Sequence, residues 1–449
     1  MMLLCLLSGF LTGLTFVFKD LCFLNIFTLI PLFFGLENGK KGFLKGFFYF
    51  AGLNAVTMSF FFNMHPMEFM GLTGIKSFGL IILMYLGVVL FEGAAGGLLI
   101  FLFTKYVKKL WFFPLVYALV EIILSLGKFG LTLSDLYITW YKITAFIQSS
   151  AYLSGYFITF IILFINLLIY KLIRTKNIRY LSLAVAVLIT NFAFGSIRMR
   201  LYQCKSFEYD LALIQGNISS LAKWEQGSIS KSLDIYEDLS REAKEKYNVS
   251  GIIWPETVIV TPVSESSGIY KRVSDFAKNL ETDIYTGTFY SAGDSFYNSL
   301  IGFDKKGKAY PERYDKRHLI PYAEDTFEEG YSLKEGKFPI CIDTVNGKAG
   351  PLICIDSAYP QLACKTANEN PDYLLVISND SWFTDSFGVE SHFAHSVFRA
   401  VENNKYLLRS GNTGISAFIT PKGEIKEKLY PVKQGYIVIK KGEIFVEEK

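Results

Sequence analysis

Apolar runs of helix length, separated by short polar loops, fill the chain from Met1 to about Gly195. Seven such runs stand out, at residues 2–18, 21–36, 43–62, 77–104, 110–127, 145–170 and 180–196. A helix needs about 20 apolar residues to cross some 30 Å of hydrocarbon. The second run is short for that and the fourth long, and seven spans are expected. The first run lacks the basic start and small-residue cleavage pattern of a signal peptide, and further runs follow it. The pattern predicts a multi-span transmembrane helical domain over residues 1–200.

The pattern changes from about Phe207. "LALIQ" reads as a buried strand, and Ile229, Leu233, Tyr236, Ala243 and Tyr247 recur at helical spacing with charges between them. "GIIWPE" is a second apolar strand, and Ile269, Val273, Phe276 and Leu280 mark another helix. "DIYTGTFY", "FYNSLIGFDKKGK", "GPLICID", "DYLLVISND", "KYLLRSG" and "ISAFITPKGEI" continue as strands, with a helix around 391–404. Strands alternating with helices predict a layered α/β domain over residues 207–445.

Charge then orients the chain. With the N-terminus inside, the cytoplasmic loops hold ten Lys and Arg (Lys40, Lys41, Lys45, Lys105, Lys108, Lys109, Lys171, Arg174, Lys176 and Arg179), against Lys19, Lys76, Lys128 and Lys142 opposite. That positive-inside bias places residues 200–449 on the extracytoplasmic face, and the polar ending "IFVEEK" leaves the C-terminus there. A net charge of +4 is too small to argue for nucleic acid. Glu92 and Glu121 lie inside apolar runs, where a transporter reading would begin, but no basic partner shares their spans. The six cysteines follow no framework spacing, and five of them read as ordinary buried thiols. His392 and His395 share a helix face without Cys or HExxH context, so no metal is expected there.

Chemistry gathers where strands end. Glu256 follows "IIWP", Lys316 sits in "RYDKRHLIPYAE", and Cys354 follows "PLI". Together they supply a base, a cation and a thiol. A carboxylate beside a thiol can take its proton, and an ammonium can stabilise the oxyanion formed when a carbonyl is attacked. His318, two residues from Lys316, is a rival base.

The blocks "WPE", "YDKRHLIPYAE", "LICID" and "RAVENNKYLLRSGNTG", in that order, resemble the signature blocks of the nitrilase superfamily of carbon–nitrogen hydrolases. "ALIQGN", "KWEQ", "SNDSWFTDSFG" and "LLRSGNTGISAFITPKG", behind several membrane spans, resemble the apolipoprotein N-acyltransferase family within it. The resemblance implies an αββα sandwich and a Glu-Lys-Cys triad: Glu256 as general base, Lys316 as oxyanion cation and Cys354 as nucleophile. It implies Glu324 as a second carboxylate holding the triad and Trp224 as a residue handling substrate. Where the family often has Tyr-Glu after the nucleophile, this chain has Ile355-Asp356, so Asp356 must make any supporting contact from a shorter side chain. The acidic stretch "EDTFEEGYSLKEGKFP" stands where the family uses an apolar arm.

The implied reaction moves a fatty acyl chain from a membrane phospholipid, through a Cys354 thioester, to the α-amine of a diacylglyceryl-modified N-terminal cysteine on an apolipoprotein. No cofactor or metal is implied, the location is the cytoplasmic (inner) membrane, and a monomer is expected. The alternative is a membrane-tethered amidase using the same triad on a soluble substrate.

Overall fold

The computed structural model describes residues 1–67, 71–127, 130, 132–224, 227–321, 324, 332–383 and 385–449. Lys128, Glu225 and Gln226 of "KWEQ", and the acidic stretch 325–331 lie outside the described residues. The chain divides into two units, Met1–Gln203 with Ser386–Ala394, and Cys204–Asp385 with His395–Lys449.

In the first unit an apolar helix stands at each of the seven expected positions. Five are long and apolar enough to cross a membrane: Lys19–Leu36, Gly42–Met64, Gly74–Val107, Gly155–Thr175 and Arg179–Leu201. Met2–Val17 and Leu110–Ser125 are shorter apolar helices. Sixteen residues of α-helix rise about 24 Å, somewhat less than the hydrocarbon thickness. The sixth run differs from expectation. Its long helix begins only at Gly155, and 144–153 forms two short turns, because the backbone leaves the helical region at Ser154, held at φ 64° just before Gly155.

Several breaks in this unit are satisfied by buried polar side chains. The span Lys19–Leu36 is interrupted at Leu29, two residues before Pro31, whose missing N–H removes one helical bond. Asn166, fully buried on Gly155–Thr175, repairs the gap by accepting from Leu29 N at 3.0 Å and donating to Asn25 O at 2.6 Å. Thr15 donates to Asn25 Oδ1 at 2.7 Å, and Asn25 Nδ2 donates to Thr139 at 2.8 Å. Glu121 accepts from Leu136 N at 3.1 Å, so this carboxylate serves the N-terminus of the short 3-10 helix Leu136–Trp140 inside the bundle. Helices Met2–Val17 and Gly42–Thr57 meet so closely that a Cβ on Gly9 would lie 1.9 Å from Tyr49 O. The late segment Ser386–Ala394 also belongs here: Lys19 Nζ donates to Ser391 Oγ at 2.8 Å, Lys142 pairs with Glu390 at 3.1 Å, and Tyr141 donates to Glu390.

The second unit is a two-sheet sandwich. One sheet runs in the order Glu443–Glu448, Gly435–Lys440, Asp210–Gln215, Gly251–Ile253, Asp283–Ala292, Ser295–Phe303 and Tyr314–Asp315, with Ile259–Val263 also paired on Asp283–Ala292. The other runs Ile425–Leu429, Ser416–Ile419, Tyr406–Gly411, Tyr373–Ser378, Gly347–Ile353 and Ile342–Thr344. Period-two alternation divides each strand between two cores. Leu211, Leu213, Ile437 and Ile439 face Ile353, Leu375, Ile377 and Leu408 between the sheets. Ala212, Ile214, Tyr436 and Val438 face outward, onto Leu233, Tyr236 and Leu239 of helix Ser228–Tyr247 and Val273 and Phe276 of helix Gly268–Leu280. Pro360–Asn368 packs against the second sheet, where Ser396 also accepts from Arg409 at 3.1 Å. The result is the expected α/β layering, helix–sheet–sheet–helix.

Candidate functional site

Three strand ends deliver the carboxylate, the ammonium and the thiol. Glu256 lies just beyond Gly251–Ile253, Lys316 follows Tyr314–Asp315, and Cys354 follows Gly347–Ile353 as the first residue of the turn Cys354–Ala358. All three are buried: Lys316 at 1% exposure, Glu256 at 4% and Cys354 at 8%. Lys316 Nζ donates to Glu256 Oε1 at 3.1 Å and to Glu324 Oε1 at 2.7 Å, so one ammonium is shared by two carboxylates.

Further donors fix both carboxylates. Asn298 Nδ2 donates to Glu256 Oε1 at 2.8 Å and to Glu324 Oε1 at 3.4 Å. The backbone N–H of Asn379 donates to Glu256 Oε2 at 2.8 Å, and that of Ile320 to Glu324 Oε2 at 2.8 Å. Neither asparagine was anticipated from sequence. The signal available was a polar residue at a buried position of a strand ("YNSL") and another directly after a strand end ("ISND").

Two site residues sit in the left-handed region of backbone space, Cys354 at φ 51° and Thr257 at φ 50°. Such conformations cost about 1–3 kcal/mol each and persist where the surroundings over-determine them. A sharp turn at Cys354 lifts the thiol out of the strand direction. The turn after Glu256 presses on Gly287, where a Cβ would lie 2.5 Å from Pro255 O and 2.6 Å from Glu256 Cα.

Asp356 braces this arrangement. It is fully buried and accepts from Ile353 N (3.2 Å) and Tyr314 OH (2.7 Å), and also from Arg317 N (3.3 Å) and His318 N (2.9 Å). One carboxylate thereby ties the turn carrying Cys354 to the segment carrying Lys316. The shorter side chain expected to need re-aiming does reach, by bonding to backbone N–H groups on both segments. Burial raises the Asp356 carboxyl above its ordinary range, opposed by Arg317.

Burial sets the thiol's protonation. It pushes Cys354 well above its ordinary value; the Glu256 charge pushes the same way and Lys316 opposes. Cys354 therefore rests as a thiol at neutral pH. Burial pulls Lys316 down, but Glu256 and then Glu324 outweigh it and hold the ammonium well above its ordinary value. The cluster thus combines a protonated thiol, a fixed cation and hydrogen-bonded carboxylates. Such a set can transfer a proton from sulfur to carboxylate as the sulfur attacks a carbonyl.

The other anticipated residues are placed less fully. Trp224 ends the short helix Ser220–Trp224, and its side chain lies outside the described residues. The ring of His318 lies 4.0 Å from that of Tyr359, centroid to centroid, while Glu256 makes the direct contact with Lys316.

Comparison with known proteins adds two matches along the chain. The family model for carbon-nitrogen hydrolase matches residues 210–440, and that for the apolipoprotein N-acyltransferase N-terminal domain matches residues 8–168. A relative named apolipoprotein N-acyltransferase, from Geobacter metallireducens, is 26% identical over 94% of this chain and 86% of its own length. Relatives of the same name from Shewanella oneidensis and Wigglesworthia glossinidia brevipalpis are 28% and 32% identical. Those two matches cover 58% and 51% of this chain, and only about half of each relative (54% and 49%). Among solved structures, Saccharomyces cerevisiae Nit3, of the nitrilase superfamily, aligns over 55% of this chain and 92% of its own, with 20% identity and a TM-score of 0.42.

Proposed function

Because this chain belongs to the carbon–nitrogen hydrolase family and carries the N-terminal domain of the apolipoprotein N-acyltransferases, we propose that it completes lipoprotein maturation by N-acylation. The acyl donor in this reading is a membrane phospholipid, and the acceptor is the α-amine of a diacylglyceryl-modified N-terminal cysteine. The observation that carries it is the match over residues 8–168, in a chain that also buries Glu256, Lys316 and Cys354 at three strand ends. The soluble-substrate amidase is not favoured, since tethering needs one span and the described residues hold five helices of crossing length.

The chemistry runs in two halves. The Cys354 sulfur attacks the ester carbonyl while its proton passes to Glu256, and Lys316 holds the oxyanion. The C–O bond breaks, and Glu256 returns the proton to the departing glycerol oxygen, leaving a thioester and a lysophospholipid. The acceptor amine then attacks the thioester, Glu256 takes the amine's proton, and the sulfur leaves and is reprotonated to a thiol. Glu324 and Asp356 act by holding Lys316 and the Cys354 turn, and Trp224 meets substrate. Residues 1–200 span the inner membrane, and residues 207–445 act on its extracytoplasmic face as a monomer. The support for that face is the ten-to-four bias of Lys and Arg between alternate loops.

The test uses purified full-length protein in detergent. Phospholipid alone should release lysophospholipid in a burst no larger than the enzyme concentration, with a fatty-acyl adduct on Cys354 by peptide mass spectrometry. A diacylglyceryl-cysteine peptide should then restart turnover. Continuous fatty-acid release without that acceptor would replace this reading with a hydrolase.

A further inference from the structure

Lys223 is a second buried lysine near Glu256, and among the described residues no carboxylate pairs with it. It stands in the short helix Ser220–Trp224 with 2% of its surface exposed. Its Nζ donates to Thr257 O at 3.0 Å and to Thr257 Oγ1 at 3.4 Å, both neutral acceptors. The backbone behind it is fastened as well, since Ser228 Oγ donates to Lys223 O at 2.6 Å.

Burying an amine against neutral oxygens is unfavourable, and an apolar side chain of the same length would fill the space without that penalty. What the amine reaches is the strained residue next to Glu256. Thr257 is β-branched and held at φ 50°. The turn's flanks have their own backbone bonds, Gly287 N to Pro255 O (3.1 Å) and Val258 N to Gly287 O (3.0 Å). The Thr257 carbonyl between them is held by Lys223. Asn379 closes the circuit: its Nδ2 donates to Thr257 Oγ1 at 3.2 Å, and its backbone N–H to Glu256 Oε2 at 2.8 Å.

We propose that Lys223 is a positioning residue for the proposed base: it pins the strained Glu256–Thr257 turn through the Thr257 carbonyl and hydroxyl, keeping the Glu256 carboxylate aimed at the thiol proton. The inference rests on the reading of Glu256 as the group that deprotonates Cys354. It also explains why a strained turn beside a catalytic carboxylate is over-determined from both sides, by Lys223 and by Asn379. Burial pulls the Lys223 amine down to about 7, with the Glu256 charge opposing, so the group is sensitive to the carboxylate it serves.

The test is the rate of Cys354 alkylation by iodoacetamide in the detergent-solubilised full chain, followed by peptide mass spectrometry from pH 6 to 10. Lys223→Met should slow alkylation at least tenfold at pH 8. Its rate should climb steadily with pH toward the thiol's own ionisation, because the carboxylate no longer collects the proton. Lys223→Arg, which keeps N–H donors within reach of Thr257, should restore the rate to within about threefold and recover the wild-type profile. Lys223→Gln keeps an N–H donor group on a shorter side chain and should fall between them; if Lys223→Met does not fold, the contrast of Arg with Gln decides. Wild-type rate and profile in Lys223→Met or Gln, or a loss that Arg does not restore, would overturn the proposal. A uniform loss with an unchanged pH profile would also overturn it. Failure of the wild-type protein to pass its acyl group to the lipopeptide would sink the functional reading, and the alkylation ratios would still decide the role of Lys223.

Discussion

The helical unit and the sandwich both bury polar side chains, but of different kinds. In the helical unit the bonding around the break at Leu29 is neutral, Thr12, Thr15, Asn25, Thr28, Thr139 and Asn166 bonding to one another and to interrupted backbone, and the buried Lys19, Glu121 and Arg198 also meet neutral partners, Ser391, Leu136 N and Gln148. In the sandwich, Lys316 lies between Glu256 and Glu324, and Arg409 pairs with Asp380 at 2.9 Å with neither side chain exposed. Neutral amides and hydroxyls repair a helix in lipid at modest cost, because each bond only replaces one the backbone has lost. Buried charges cost more than they return in stability unless every lone pair is matched. The gathering of two carboxylates on one ammonium, Glu256 and Glu324 on Lys316, is therefore better explained by chemistry than by folding.

The comparison breaks most visibly if the charges are removed and the protein stays folded without activity. Glu256→Gln should cut acyl-enzyme formation by about 10²–10⁴, the usual worth of a positioned base. Lys316→Met should cost at least about 10²–10³, the effect of losing one oxyanion donor. Quenched-flow mass spectrometry of the Cys354 adduct measures both, and thermal melts should show each variant folded. An active Glu256→Gln would make His318 the next base to examine. An active Lys316→Met would mean that the buried ammonium is structural after all.

A smaller effect tests the neutral side. Asn166→Leu removes the donor for Asn25 O and the acceptor for Leu29 N. Leaving a buried backbone group unpaired costs about 1–3 kcal/mol, although hydrogen bonds between membrane helices average nearer 0.6. Pro31, two residues beyond the gap, cannot donate to Phe27 O, so a continuous helix through Lys19–Leu36 would itself lack a bond. The larger figure is therefore expected, as a melting temperature several degrees lower. The Cys354 acylation rate at low temperature should stay within about threefold of wild type. A variant that melts normally would show that these breaks are satisfied without Asn166.

The sequence made the layers legible where the pattern was strong. Period-two apolar strands and 3.6-period helices are direct consequences of burial on one or two faces, so the helices Ser228–Tyr247 and Gly268–Leu280 were read almost to their ends. Glu256, Lys316 and Cys354 were legible as strand-end groups, and their combination came through the resemblance. Asn298, Asn379 and Lys223 were not, because each acts through a bond to a residue far along the chain, and an isolated polar residue has no period. The hairpin Gly435–Lys440 with Glu443–Glu448 was also missed, although its first strand pairs antiparallel with Asp210–Gln215 at the centre of a sheet. Placing the last strand beside the first is a long-range pairing that local patterning does not encode. The helix start at Gly155 was misread because apolarity continues through 144–153 while the backbone does not.

The last expected effect is a slope with pH, and it separates two lysines that sequence alone makes alike. Lys223 is held at about 7 by burial, against an ordinary value of 10.5. Above pH 7 the unfolded chain keeps a proton there that the folded protein has released, so stability rises with pH, by at most about 1.4 kcal/mol per pH unit. Burial pulls Lys316 the same way, but Glu256 and Glu324 override it and hold this ammonium above 10.5. Its contribution is fully present below that value and is lost only as pH rises through the higher folded one. Cys354, raised above 9 by burial, weakens the fold with rising pH only once an unfolded thiol would ionise. From pH 7 to 9 the two lysines are therefore distinguishable. The melting temperature of the wild-type protein should rise relative to Lys223→Met across that window, whereas the difference from Lys316→Met should stay flat. Parallel curves for wild type and Lys223→Met would mean that Lys223 keeps its proton in the fold, with Glu256 compensating its burial more fully than the neutral Thr257 contacts imply.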